Sequence, residues 1–323
     1  MSPLLGRRRV AVGAASLLGL AALPAAPRGE RVIRIGYQKL GILLRLRGDL
    51  ERRLRTVNAR LEWAEFVAGL PLLEALGTGS LDYGFTGDAP PIFAQAAGAP
   101  LVYAAASPPS PESRAILVHR DSPIRTVADL QGRRVAVQKA SATHYLLVQA
   151  LTRAGVPWEA VKVIYLAPAD GRAAFARGSI DAWAIWDPYY AAAEEESSVR
   201  VLLTGRGITT QGGRYLTSRD FATRSPDLLR IVLEEQERLA RWVNGHPREA
   251  AALLAPAIGI KVSILERTFR HQKEGVIPFA GRTLAEQQKL ADVFWRLKLL
   301  PHPVDVRQAT LPPAQVAAFQ PSP

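Results

Sequence analysis

The sequence predicts an α/β protein of two similar lobes, each a mainly parallel sheet flanked by helices. Three observations carry this. Short β-rich runs alternate with helical stretches through most of the chain, the signature of βαβ units and a parallel sheet. Punctuation recurs at a nearly constant offset: Gln38-Lys39 and Gln138-Lys139 lie 100 residues apart, and Gly79-Ser80-Leu81-Asp82 and Gly178-Ser179-Ile180-Asp181 lie 99 apart. Finally, 323 residues, 48% of them hydrophobic, suffice for about two buried cores.

Taken in order, the strands expected first are Val32–Tyr37, Leu61–Val67, Leu81–Thr86, Leu101–Ala105 and Ala115–Val118, with helices at Leu43–Leu54, Pro71–Gly77 and Pro91–Gly98. A second series follows. Its strands are Arg134–Gln138, Lys162–Leu166, Ala182–Ile185 and Val199–Leu203, and its helices are Thr143–Ala154, Gly171–Arg177 and Tyr189–Glu196. After a strand at Arg214–Ser218 the chain turns helical, at Pro226–Asn244, Pro247–Ala257, Ser263–His271 and Leu284–Leu299. In each half a glycine ends a helix, a Gly-Ser-aliphatic-Asp run opens a strand, and an aspartate before proline (Asp88 before Pro90, Asp187 before Pro188) starts the next helix. Such punctuation is common to βαβ units. The regular offset favours the sharper reading, two lobes of like topology facing each other across a cleft.

Composition narrows the function. The net charge is +12, but 34 of the 41 basic residues are arginines, and from Arg31 to Arg307 they are scattered, not the stripe that nucleic acid demands. Nucleic acid is therefore not an expected partner, whereas a broad positive field suits small anions. The absence of cysteine rules out disulfides, thiolate zinc sites, iron–sulfur clusters, a cysteine nucleophile and a lipid anchor on cysteine. Arg7-Arg8-Arg9, then the apolar run Val10–Leu23, then Pro24-Ala25-Ala26-Pro27 read as a signal peptide over residues 1–28, exported by the general or the twin-arginine route. No later segment is long and apolar enough to span a membrane, so a periplasmic or secreted mature chain is expected.

Ligands of open parallel sheets bind beyond the carboxyl ends of strands, where helix starts offer unpaired N–H groups. Four such ends stand out: Tyr37-Gln38-Lys39, Thr86-Gly87-Asp88, Gln138 to His144, and Trp186-Asp187-Pro188. Ser141 or Thr143 serves as helix cap or anion donor according to which way its hydroxyl turns. Trp186 offers an apolar wall or belongs to the core beside Trp183. Asp88 and Asp187 orient loops and start helices more readily than they form an acid–base pair. Nucleophile elbows, phosphate loops and H-E-x-x-H are missing, and the five histidines are isolated, only His144 falling in a candidate site. Neither enzyme activity, cofactor nor metal is expected.

The runs Gly36-Tyr37-Gln38-Lys39, Thr86 to Gly98 (TGDAPPIFAQAAG), Tyr165 to Asp170 (YLAPAD) and Trp183 to Tyr190 (WAIWDPYY) resemble those of aliphatic sulfonate-binding proteins, the periplasmic substrate-binding components of sulfonate-importing ABC transporters. The likeness runs from about Val32 to Val306. It implies a type II periplasmic-binding-protein fold, with residues 29–118 in the first lobe, 119–213 in the second and 214–323 returning, mainly helical, to the first. It also implies a monomer that closes on a small anion and delivers it to a membrane permease. The family commonly has Gly-Ser-Ser-Ser-His-Asn where this chain has Ala140-Ser141-Ala142-Thr143-His144-Tyr145, and a small residue where Leu40 stands. Ala140 disfavours the left-handed backbone that glycine allows. On this resemblance the sulfonate head is expected among Thr86, Gly87, Ser141, Thr143 and His144, with Gln38 as a further donor, the tail on Trp186, and Asp88 and Asp187 bordering the site. Taurine, another small anion, a thiamine-precursor-like heterocycle, or an enzyme on the same scaffold are the alternatives. A zwitterion would draw on Asp88, Asp170 or Asp187 for its amine.

Overall fold

A computed structural model describes residues 29–312, so the expected signal peptide lies outside the described residues. The first run comprises β1 (Arg31–Tyr37), α1 (Ile42–Arg47), α2 (Asp49–Arg55), β2 (Ala59–Glu65), α3 (Gly69–Gly77), β3 (Tyr83–Thr86), α4 (Pro90–Ala96) and β4 (Leu101–Ala106). The second comprises β5 (Arg114–His119), β6 (Arg134–Val137), α5 (Ala142–Arg153), β7 (Lys162–Tyr165), α6 (Pro168–Ala176), β8 (Ala182–Trp186), α7 (Tyr189–Glu194) and β9 (Val199–Thr204). The remainder holds β10 (Arg214–Ser218), α8 (Arg219–Arg224), α9 (Pro226–Gly245), α10 (Pro247–Ile258), α11 (Val262–His271) and α12 (Gly281–Arg296).

Two five-stranded sheets result, ordered β2-β1-β3-β10-β4 and β7-β6-β8-β5-β9. The orders are the same once each strand is replaced by its counterpart. Four strands share one direction in each, and the fourth position is taken by an antiparallel strand that has crossed from the other lobe. Each crossing strand also carries a register shift, between Tyr215 and Leu216 in β10 and between Ile116 and Leu117 in β5.

The repeated Gly-Ser-aliphatic-Asp has a structural explanation. Asp82 accepts from the backbone N and the guanidinium of Arg34 in β1 at 2.8 to 3.0 Å, and Arg34 also reaches the Gly79 carbonyl at 2.5 Å. Asp181 holds Arg134 of β6 at 2.7 to 3.2 Å, and Arg134 reaches the Gly178 carbonyl at 3.3 Å. The motif thus ties the strand it opens to its parallel neighbour in both lobes.

Element boundaries depart from periodicity where local chemistry intervenes. The single helix expected over Leu43–Leu54 is divided at Gly48, whose φ of 67° closes α1 in the left-handed region. β2 begins at Ala59, two residues ahead of the apolar run. α8 was not anticipated, because six residues are too few to show a helical period; Ser218 caps it by accepting from the Phe221 amide at 3.1 Å. α9 drives Leu228, Leu229, Val232 and Leu233 into the core of the first sheet, a spacing that presents one helical face. α10 and α11 pair and rest on α1, while α11 also meets α7 of the second lobe.

The crossings touch backbone to backbone. Ser107 N donates to the Gly213 carbonyl at 3.0 Å, Gly213 N donates to Ser107 Oγ at 2.7 Å, and Gly205 N donates to the Pro111 carbonyl at 2.9 Å. Any Cβ at position 212 would collide with the carbonyl oxygens of Ser107 and Pro108. Gly212→Ala is therefore expected to destabilise the protein by more than about 2 kcal/mol, while Gly245→Ala, which meets open space, is expected to be neutral or slightly stabilising. Urea unfolding of the two variants checks this.

Candidate functional site

A cavity of about 220 Å³ opens between the lobes, where the strand ends of both sheets meet. Its polar end is made by the start of α5. Ser141 caps that helix: its Oγ accepts from the His144 amide at 3.1 Å and donates to the Gln138 carbonyl at 2.7 Å. Because the first amides of a helix have no intrahelical acceptor, the N–H groups of Ala142 and Thr143 stay available, and Ala142 lies on the cavity wall. Gly87 of the first lobe faces it so closely that a Cβ there would stand 3.1 Å from the Ala142 Cβ. Glycine at 87 lets the lobes meet at this point. The organic end is aromatic, with Trp63 edge-on to Tyr37 at 6.1 Å and Phe85 tilted on Tyr215 at 4.7 Å, and Trp186 closing the wall from the second lobe.

Of the nine residues expected at the site, Gln38, Gly87, Ser141, Trp186 and Asp187 line the cavity. Thr86, Asp88, Thr143 and His144 lie behind the wall, each with no exposed surface. Their positions are accounted for by other partners. Thr86 Oγ1 donates to the Gly87 carbonyl at 2.9 Å, and Thr143 Oγ1 lies 3.0 Å from Ser141 Oγ. Asp88 accepts from Arg114 Nη1 at 3.1 Å. His144 turns into an aromatic cluster of Phe93, Trp158, Tyr165 and Phe294, with ring separations of 5.1 to 6.3 Å. Burial, reinforced by the Lys139 charge, brings its pKa down to about 3, so the ring is neutral. Its Nδ1 accepts from the Ala140 amide at 3.2 Å, and Ala140 does adopt the left-handed backbone, at φ 58°. That hydrogen bond helps hold a conformation that alanine disfavours by about 1 kcal/mol. His144 is thus a positioning residue for the loop that presents the α5 amides, and Gln38 is partly committed, its Nε2 donating to the Phe85 carbonyl at 3.2 Å.

Three further features had no motif to announce them. Ala142 contributes by its backbone, which side-chain reading overlooks. Arg114, the first residue of β5, lines the cavity and holds both Asp88 and, through Nη2, the Gln211 carbonyl at 3.2 Å. Glu274, in the segment after α11, contributes a carboxylate to the cavity wall. Asp88 and Asp187 are paired with Arg114 and His271 and Asp170 is exposed on α6, whereas the Glu274 carboxylate accepts from the neutral Gln272 Nε2 at 2.8 Å.

Asp187 marks where the lobes are bridged. Its Oδ1 accepts from the Ala191 amide at 3.0 Å, and its Oδ2 lies 2.9 Å from His271 Nδ1 on α11. His271 Nε2 and Arg267 also approach Glu194 of α7, at 3.5 and 3.9 Å, and Lys261 approaches Glu195 at 3.7 Å. Burial and Arg267 pull the His271 pKa down, but the hydrogen bond and charge of Asp187, with Glu194, outweigh them and raise it above its usual value. A raised histidine stabilises the fold fully below its unfolded pKa of about 6.5 and loses that contribution as pH climbs through the folded value. The melting temperature should therefore fall between pH 6 and pH 8, and His271→Gln should shrink that fall. Thermal melts at both pH values check this.

Comparison with known proteins bears directly on this site. Residues 68–250 match the family model described as NMT1/THI5 like. A relative from Escherichia coli strain K12, named for binding aliphatic sulfonates, is 42% identical over 299 residues, covering 92% of this chain and 93% of its own. The alkanesulfonate-binding protein SsuA from Xanthomonas axonopodis pv. citri, solved with MOPS bound, superposes with a TM-score of 0.83 at 40% identity, over 90% of this chain and 99% of that one. The periplasmic aliphatic sulphonate binding protein SsuA from Escherichia coli superposes with a TM-score of 0.80 at 42% identity, over 88% and 92%. With two like sheets, a cleft between their strand ends and relatives this similar over nearly their whole length, the chain belongs to the aliphatic sulfonate-binding proteins of the NMT1/THI5-like family.

Proposed function

We propose that this protein captures a small organosulfonate anion in the cleft and delivers it to the membrane permease of an ABC importer. The observation that carries the reading is the start of α5: the Ala142 backbone amide, which the Ser141 cap leaves unengaged, borders a cavity whose other end is aromatic. A sulfonate stays anionic at any physiological pH, so neutral N–H donors and the helix dipole hold it without a matching cation. Each hydrogen bond to a charged group contributes about 1.5–3 kcal/mol. Alkyl substituents suit Trp63, Phe85 and Trp186.

The protein acts in this account as a carrier rather than an enzyme. The cavity's Ser141 hydroxyl donates to a backbone carbonyl, and the histidine three residues on is neutral and turned away, so they do not form a nucleophile–base pair. The segments between β4 and β5 and between β9 and β10 serve as hinges, dividing the chain into lobes at residues 107–113 and 205–213; the first division falls ahead of β5, which pairs in the second sheet, and not at residue 118. Export through the N-terminal 28 residues would place the monomer in the periplasm, where its positive field gathers anions.

Isothermal titration of the chain from Glu30, unfolded and refolded to strip ligand, with propanesulfonate, butanesulfonate, MOPS and sulfate tests the reading. Saturable binding of the sulfonates at micromolar concentration or tighter is expected; folded protein giving no heat with any of them would contradict it. Ser141→Asp keeps a good cap but sets a negative charge beside the amides, and should lower sulfonate affinity about a hundredfold or more, whereas the neutral cap Ser141→Asn should lower it far less.

A further inference from the structure

The cavity wall holds a carboxylate that a simple anion site does not need. Glu274 is fixed by its backbone: its N donates to Asn244 Oδ1 at 3.1 Å, and its carbonyl accepts from Asn244 Nδ2 at 2.9 Å. On its far side Tyr215 OH donates to the Gly275 carbonyl at 3.1 Å, and Val276 N donates to Glu237 Oε2 at 2.8 Å. Among the described residues the carboxylate itself has one hydrogen-bond partner, Gln272 Nε2, which donates to Oε1 at 2.8 Å. Among the described residues no lysine, arginine or histidine forms an ion pair with it. The cavity's other acidic group, Asp187, has His271, and Asp88 behind the wall has Arg114.

Lys39, Lys273 and Arg114 also line the cavity, but none of them pairs with Glu274, so a carboxylate with one neutral donor is left short of compensation. It repels an incoming sulfonate unless the same ligand brings a cation to meet it. We propose that Glu274 is a specificity-determining residue that accepts an ammonium group, so that the cavity selects aminoalkanesulfonates over plain alkanesulfonates. The inference rests on the organosulfonate reading above and narrows its ligand class. Such a ligand places its sulfonate on the Ala142 amide and its ammonium on Glu274, one chain joining two unlike wall groups. Burial holds the Glu274 carboxyl up at about 7, and an ammonium partner would bring it down. Unlike the paired aspartates, this group gains a charged partner only when ligand arrives.

The test compares 3-aminopropanesulfonate with propanesulfonate and butanesulfonate by isothermal titration, using the intact mature chain, Glu274→Gln and Glu274→Asp. The wild type should bind the aminosulfonate about tenfold or more tightly than propanesulfonate. Glu274→Gln should reverse that order, weakening the aminosulfonate and tightening both alkanesulfonates, and Glu274→Asp should restore part of the preference. A purely structural role would move all affinities together. Binding of both classes with a ratio that Glu274→Gln leaves unchanged would overturn the assignment while leaving the sulfonate reading intact. Folded wild type that binds neither class would overturn both.

Discussion

The buried ion pair between Asp88 and Arg114 is the contact on which the arrangement of the two lobes turns. Asp88 stands at the start of α4 in the first lobe, and Arg114 is the first residue of β5, the strand that enters the second. The same guanidinium holds the Gln211 carbonyl, so one side chain joins a lobe and both crossings. Arg214 opens β10, the returning strand, and grips the carbonyls of Gly212 and Gly213 at 3.0 Å and Gln287 Oε1 at 2.8 Å. Burial brings its pKa down to about 10, against the pull of Asp88, and it remains a cation. A buried ion pair adds little net stability, but it penalises any arrangement that separates its members. Here it specifies how the sheets face each other.

From that arrangement the site follows. Opposed sheets of one topology bring the strand ends together, and helix starts gather there because each parallel strand runs into one. Gly87 allows the α5 amides to approach the first lobe, and the aromatic residues of β1, β2 and β3 cover the rest of the cleft. Two further bridges flank the cavity. α12 inserts Phe294 among His144 and Tyr145 of α5, and α11 reaches α7 through His271. The first is apolar and indifferent to pH; the second is charged. Contact between the lobes therefore combines an apolar element with one that responds to protonation.

Strand positions and the likeness of the two lobes were legible because β-rich runs alternate with helical ones and because the repeat recurs at a fixed offset; the order of strands in each sheet was not. Ser141 was legible as a cap for the same reason, since a hydroxyl ahead of a helical run has few other uses. Other residues escaped for physical reasons. His144 and Thr143 sit one helical step from the wall, and a hydroxyl or imidazole in sequence carries no sign of which way it turns. Ala140 takes a left-handed backbone because His144 supplies a compensating acceptor, a tertiary effect that propensity cannot register. Ala142 acts through its amide, which every residue but proline shares. Glu274 lies in an irregular segment without period, so its chemistry is apparent only once Asn244 and Gln272 are seen to hold it.

The central claim is that the anion is held by backbone amides where α5 meets Gly87, not by a side-chain cation. A crystal structure of the mature protein with propanesulfonate tests it most directly. The account predicts sulfonate oxygens within about 3.2 Å of the amide nitrogens of Ala142 and Gly87, with the propyl chain toward Trp186. A head group seated instead on the Lys39 ammonium or the Arg114 guanidinium, with those amides facing water, would contradict it.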